Sequence, residues 1–324
     1  MVSAVGAYAQ AVVSQSTTSR AATDTTTDAE SDGTDTENPS TGGGGTVTDP
    51  VEISAEAQQR LQDDAAKNAL QDAKVAYYAQ FRPTRDGFSS SNMALGIVDP
   101  SAQPFSQNRP FADVAQAARD ELDARYKQMN DSGQPYDSNS YEGVDDNSLY
   151  GNLDRRALYA VASNQGGLFT SAEQQRARDI MRGQQGMAMG GYNGPTRLAG
   201  KFASPITNDY EQIFKSGVQF MDKVSPEEKA GDVEWAVQRG SMQKYYEDQA
   251  KSNGNVPDNF NINHPLVNLV RAALDAWKNH PEYTSDGNTE TADDLRKQPW
   301  FAPFADHLDS AIADTRALYG QTNA

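Results

Sequence analysis

The chain has 324 residues, with 45 acidic against 28 basic side chains and a formal charge of −17. That balance repels phosphate backbones and acidic lipid surfaces, so no nucleic-acid partner is expected. With no cysteine there is no disulfide, thiol nucleophile or thiolate metal site, and no run reaches the roughly 18 apolar residues that span a bilayer, so no membrane span is expected.

The first 13 residues, MVSAVGAYAQAVV, are apolar and small but carry no positive charge. They predict no cleaved signal peptide, which leaves a cytoplasmic or a non-classically exported protein. Residues 14–50 are mostly Ser, Thr, Asp, Glu and Gly. Too little apolar surface is there to offset the entropy of ordering, so residues 1–50 are expected to form a disordered acidic tail, closing in a glycine hinge at 42–45.

Apolar residues return at 51, and 51–82 predict an amphipathic, alanine-rich helix with the stripe Leu61, Ala65, Ala69/Leu70, Ala73, Tyr77 and Phe81. Arg82-Pro83 ends it. A stripe this weak suits a helix that packs onto a protein partner, and Leu61, Leu70 and Tyr77 are its candidate contacts. Its opening, VEISAEA, resembles short stretches of flagellar regulators and export-related bacterial proteins, notably the anti-sigma factor of that system. The resemblance covers seven residues and implies an export- or surface-associated setting, with no residue role to carry over.

Residues 83–109, rich in Pro and Ser, read as a connection, and 110–324 as a compact helical domain. The spacing of Phe111, Val114, Ala118, Leu122 and Met129 predicts a helix over 111–129. The loop at 134–150 carries the oxygen-bearing side chains Asp137, Asn139, Glu142, Asp145 and Asp146, the ligand type calcium takes. An EF-hand is excluded, since counting from Asp137 puts Glu142 where the template needs Gly and Ser148 where it needs Glu. A looser calcium site stays open.

Residues 153–181 predict a helical hairpin. Asn152 is read as the first cap, Gly166-Gly167 as the stop, and Thr170 with Glu173 as the capping box of the second helix. Leu168 and Phe169 plug the corner, and Arg155, Arg156, Arg176 and Arg178 are read as a solvated outer face. Residues 182–195, RGQQGMAMGGYNGP, predict a mobile loop whose Met187 and Met189 dock a partner. Helices are expected over 206–223, 226–246, 265–280, 290–297 and 301–319, with Leu318 inward.

No fingerprint for a nucleotide, a nucleophile elbow or a zinc helix occurs, so no cofactor and no catalytic residue is assigned. His264, His280 and His307 sit at helix ends or surfaces. The carboxylate pairs Asp145/Asp146, Glu227/Glu228 and Asp293/Asp294 keep a glycan hydrolase as the competing reading. The expectation is an all-α, multi-helix bundle-like domain behind an acidic tail, acting as a non-catalytic protein-interaction or structural protein. A carboxylate-based hydrolase and a calcium-modulated binder are the alternatives.

Overall fold

The structure, a computed structural model, describes residues 55–207, 209–277 and 289–320. The predicted tail, its glycine hinge, residues 51–54, His280 and the Leu61 side chain lie outside the described residues. Every regular element among the described residues is a helix, so the fold is all-α. The chain divides into two units, 1–72 and 73–324.

Within the first unit the described residues belong to α1 (Ala55–Ala79). Residues 62–70 are exposed, Leu70 at 38% among them. Gln59 donates to Asp63 at 2.9 Å and Lys67 pairs with Asp64 at 3.6 Å, in solvent.

In the second unit the end of α1 is followed by α2 (Ser91–Val98), α3 (Phe111–Asp131), α4 (Val144–Tyr150), α5 (Arg155–Ala162) and α6 (Ser171–Ala188). Then come α7 (Tyr210–Met221), α8 (Pro226–Gly231), α9 (Val233–Ser252), α10 (Pro265–Ala276), α11 (Ala292–Lys297) and α12 (Leu308–Gly320). Leu122, Leu149, Leu153, Leu158 and Ile180 centre one core, between α3 and α6. Phe220, Trp235, Val270, Phe301 and Leu308 centre a second, between α7 and α12. A third gathers Tyr78, Phe81, Ile97 and Met187. Helix α6 serves all three, with Ala177 and Ile180 in the first, Met187 in the third and Ala188 against the second and third.

The hairpin of α5 and α6 forms as its sequence predicts. Asn164, Gly166 and Gly167 all have positive φ and reverse the chain. Thr170 accepts from the Glu173 amide while the Glu173 carboxylate accepts from the Thr170 amide, and Phe169 is buried in the corner.

The first cap is not Asn152 but Asp154, whose side chain accepts from the Ala157 amide at 2.9 Å. Asn152 is turned sideways, donating to Glu121. Nor do Arg155 and Arg156 form a solvated face. Both are buried, and each is bonded to a glutamate of α8. Their partners lie about seventy positions along the chain, beyond the reach of a local pattern.

Other boundaries move for packing reasons. The connection at 83–109 contains α2, which buries Met93, Ala94, Gly96 and Ile97. The loop at 134–150 ends in α4, and residues 182–188 are not a loop but the end of α6. Gly240 leaves α9 unbroken; a Cβ there would stand 2.9 Å from Val270 Cγ1, so the bare residue lets α9 and α10 approach closely. Leu318 is 40% exposed rather than inward.

His264 caps α10 from a fully buried position. Its Nδ1 accepts from the Val267 amide at 3.2 Å and its Nε2 faces the Lys229 carbonyl at 3.0 Å, which fits the neutral ring with the proton on Nε2. Burial pushes its pKa below the ordinary histidine value, outweighing the backbone bonds that favour the charged ring. The native state therefore binds fewer protons than the unfolded chain below pH about 6.5. Stability from this site is full above that pH and is lost as pH falls. Between pH 7.5 and 5.5 the urea midpoint of the wild type should drop more than that of His264→Asn, which keeps a capping oxygen without a titrating ring. Equal drops would show that His264 does not titrate with folding.

Candidate functional site

The four carboxylates of 137–146 are each turned to a different partner. The Asp137 carboxylate accepts from the Asn139 amide at 2.9 Å. Glu142 pairs with Arg197 at 2.7 Å, and Asp146 accepts from the Tyr136 hydroxyl at 2.7 Å and pairs with Arg176 at 3.2 Å. Asp145 is bonded to the Arg85 fork and to the Asp137 amide. Burial opposes the charge on Asp145, but those bonds outweigh it and hold the carboxyl below its usual range. Among the described residues no three His, Cys, Asp or Glu side chains gather in a way that could hold a metal ion.

The partner candidates separate as well. Leu70 is exposed. Tyr77 is half-buried, its hydroxyl accepting from the Ala203 amide at 2.7 Å and donating to the Ala203 carbonyl at 2.9 Å. Met187 is fully buried and presents no surface, while the Met189 thioether packs against Gly217, where a Cβ would lie 3.0 Å from its sulfur.

The other carboxylate pairs are equally occupied. Glu227 is held by Arg156 and Glu228 by Arg155. Asp293 pairs with Arg296 at 2.7 Å, and Asp294 closes the capping box of α11 with Thr291.

In the second unit a cleft of about 400 Å³ opens where α5, α6, α8 and α9 meet. Tyr159, Arg178, Arg182, Trp235 and Arg316 line it together with four acids, Glu228, Asp232, Glu234 and Glu290. Three of those acids are closed by arginines, since Arg182 takes Glu234 at 3.0 Å and Glu290 at 2.6 Å besides the Arg155 bond to Glu228. Asp232 has no ion pair among the described residues. It stands between α8 and α9 and caps α9, accepting from the Trp235 amide at 3.2 Å. Burial, and then the neighbouring Glu228 charge, push its carboxyl up to about 7.

A carboxyl that exchanges its proton near neutrality suits proton transfer. A two-carboxylate hydrolysis needs a second acid free to act as base or nucleophile, and the other acids of this cleft are engaged by arginines. Sequence reasoning ran one helix through Asp232 and so missed it. The signal was Gly231-Asp232 followed by Glu234, a stop and a fresh cap inside an apparently continuous pattern. No protein-family model, curated protein or solved structure matches this chain.

Proposed function

We propose that the chain is a non-catalytic protein-interaction or structural protein, and that the exposed turns of α1 are the surface its protein partner takes. The observation that carries this reading is Leu70. It is a large apolar side chain left 38% exposed, one helical turn after the exposed Ala66 and so on one face with it, in a 25-residue helix. Helices of this kind bind by laying a narrow apolar face into a groove. Alone in water they are only marginally stable, so the partner supplies the packing that the helix lacks. The engaged carboxylates of 145–146, 227–228 and 293–294 favour this reading over the hydrolase.

Amide hydrogen exchange on the full-length chain tests it. Residues 59–72 should exchange orders of magnitude faster than α5, every residue of which is buried. Leu70→Asp should leave the unfolding free energy within about 0.5 kcal/mol of wild type, as a surface change does. Protection of 59–72 equal to that of α5, or a large loss of stability in Leu70→Asp, would show that this stretch is already committed to packing within the chain.

A further inference from the structure

Arg82 follows the last turn of α1 and is 8% exposed. Other arginines buried this deeply, Arg155, Arg156 and Arg239, each hold a carboxylate. Arg82 holds none among the described residues. Its Nη2 reaches the Met187 sulfur at 3.5 Å, a weak acceptor, and its buried Nε has no partner. Burial lowers its pKa to about 10, so the guanidinium remains charged at neutral pH. An unpaired cation in the interior is costly unless an anion meets it.

The cation lines a cavity of about 280 Å³, at the small end of ligand sites, between the end of α1, α4, α6 and residues 193–195. Of its acids, Glu142 is paired with Arg197, Asp146 with Arg176 and Asp179 with Arg182. Gly183 lets Arg82 and Asn193 approach α6 closely, since a Cβ there would come within 3.0 Å of Arg82 Nη2 and 2.8 Å of Asn193 Oδ1. Ile180 supplies apolar wall.

We propose that this cavity binds a small monocarboxylic acid, its carboxylate on the Arg82 guanidinium and its short apolar remainder against Ile180. A planar carboxylate fits the guanidinium fork. A single negative charge matches the one lining guanidinium that holds no carboxylate among the described residues, whereas a dianion would bring a second charge that the paired arginines do not meet. The site uses neither the exposed turns of α1 nor any residue of the cleft at Asp232.

Full-length protein is titrated by calorimetry with butyrate, inorganic phosphate and chloride at constant ionic strength. Butyrate should give a saturable heat and chloride none, and Arg82→Gln should weaken butyrate by about tenfold or more. Arg82→Gln should fold at least as stably as wild type, because it removes an unpaired buried charge. Should it fail to fold, wild type labelled with 15N-arginine still decides. A buried Nε–H signal must move on addition of butyrate and stay still with chloride. No saturable heat, tighter binding of phosphate than of butyrate, unchanged butyrate affinity in Arg82→Gln, or an unmoved Nε–H signal each overturns the proposal.

Discussion

Arg155→Met is expected to lower the unfolding free energy by about 3 to 5 kcal/mol, the cost of stranding one partner of a buried ion pair. Arg155 and Glu228 are 3% and 2% exposed. The guanidinium gives two bonds to the carboxylate, at 3.1 and 2.7 Å, and its remaining nitrogen donates to the Met181 carbonyl and to Gln184, both at 3.1 Å. The same group lies 4.8 Å from the centre of the Phe220 ring. Arg155 therefore ties α5, in the first core, to α8 and to a residue of the second. Methionine fills similar volume and keeps the ring contact, so the loss reports the charge left alone on Glu228. The double variant Arg155→Met/Glu228→Met should recover most of the loss, because it removes both charges together. Urea unfolding of the two variants checks this. A loss below about 1 kcal/mol in Arg155→Met would place the pair in the range of solvated ion pairs and contradict the burial.

The arginine pair also marks where a single sequence stops being informative. Helix periods, the capping box at Thr170 and Glu173 and the glycine stop at 166–167 are local chemistry, and all are legible within a few residues. What Arg155 and Arg156 face is not local. Ser225-Pro226-Glu227-Glu228 is readable as a helix start, yet nothing in either stretch says that the two acids turn inward onto the two arginines. Glycine misleads for the same reason. Gly183 falls in the stretch predicted as a loop, and it and Gly240 both lie inside unbroken helices. Each is bare because another element presses on it, Asn193 and Arg82 on the first and Val270 on the second. A helix that continues through 188 carries the Met187 thioether into the core instead of out on the loop that the glycines of 182–195 suggest. Arg82 was legible only as the residue before a proline; its isolation from carboxylates is a property of the packed chain.

Asp154→Ala should cost about 3 to 5 kcal/mol, far more than the loss of about 1 kcal/mol usual for a helix cap. The difference lies in what else its carboxylate does. Asp154 is 1% exposed. Besides the Ala157 amide it accepts from the amides of Phe105 and Ser106, at 2.9 and 2.8 Å, and from the Ser106 hydroxyl at 3.0 Å. Alanine leaves those donors without an acceptor in the interior, at about 1 kcal/mol or more each. The turn they belong to is held a second time, because Arg156 donates to the carbonyls of Ser106 and Arg109, both at 3.0 Å. The first turn of α5 thus fastens residues 105–109 from both sides, one residue accepting and the other donating. Asp154→Asn separates the two roles. Its amide oxygen can still cap α5, but its NH2 would face two amide donors, so the variant should keep the helix and lose protection at Phe105 and Ser106. Urea unfolding gives the totals, and amide exchange at 105–106 gives the location. If Asp154→Ala loses only about 1 kcal/mol and leaves exchange at 105–106 unchanged, Asp154 is a cap and nothing more, and the turn is held by Arg156.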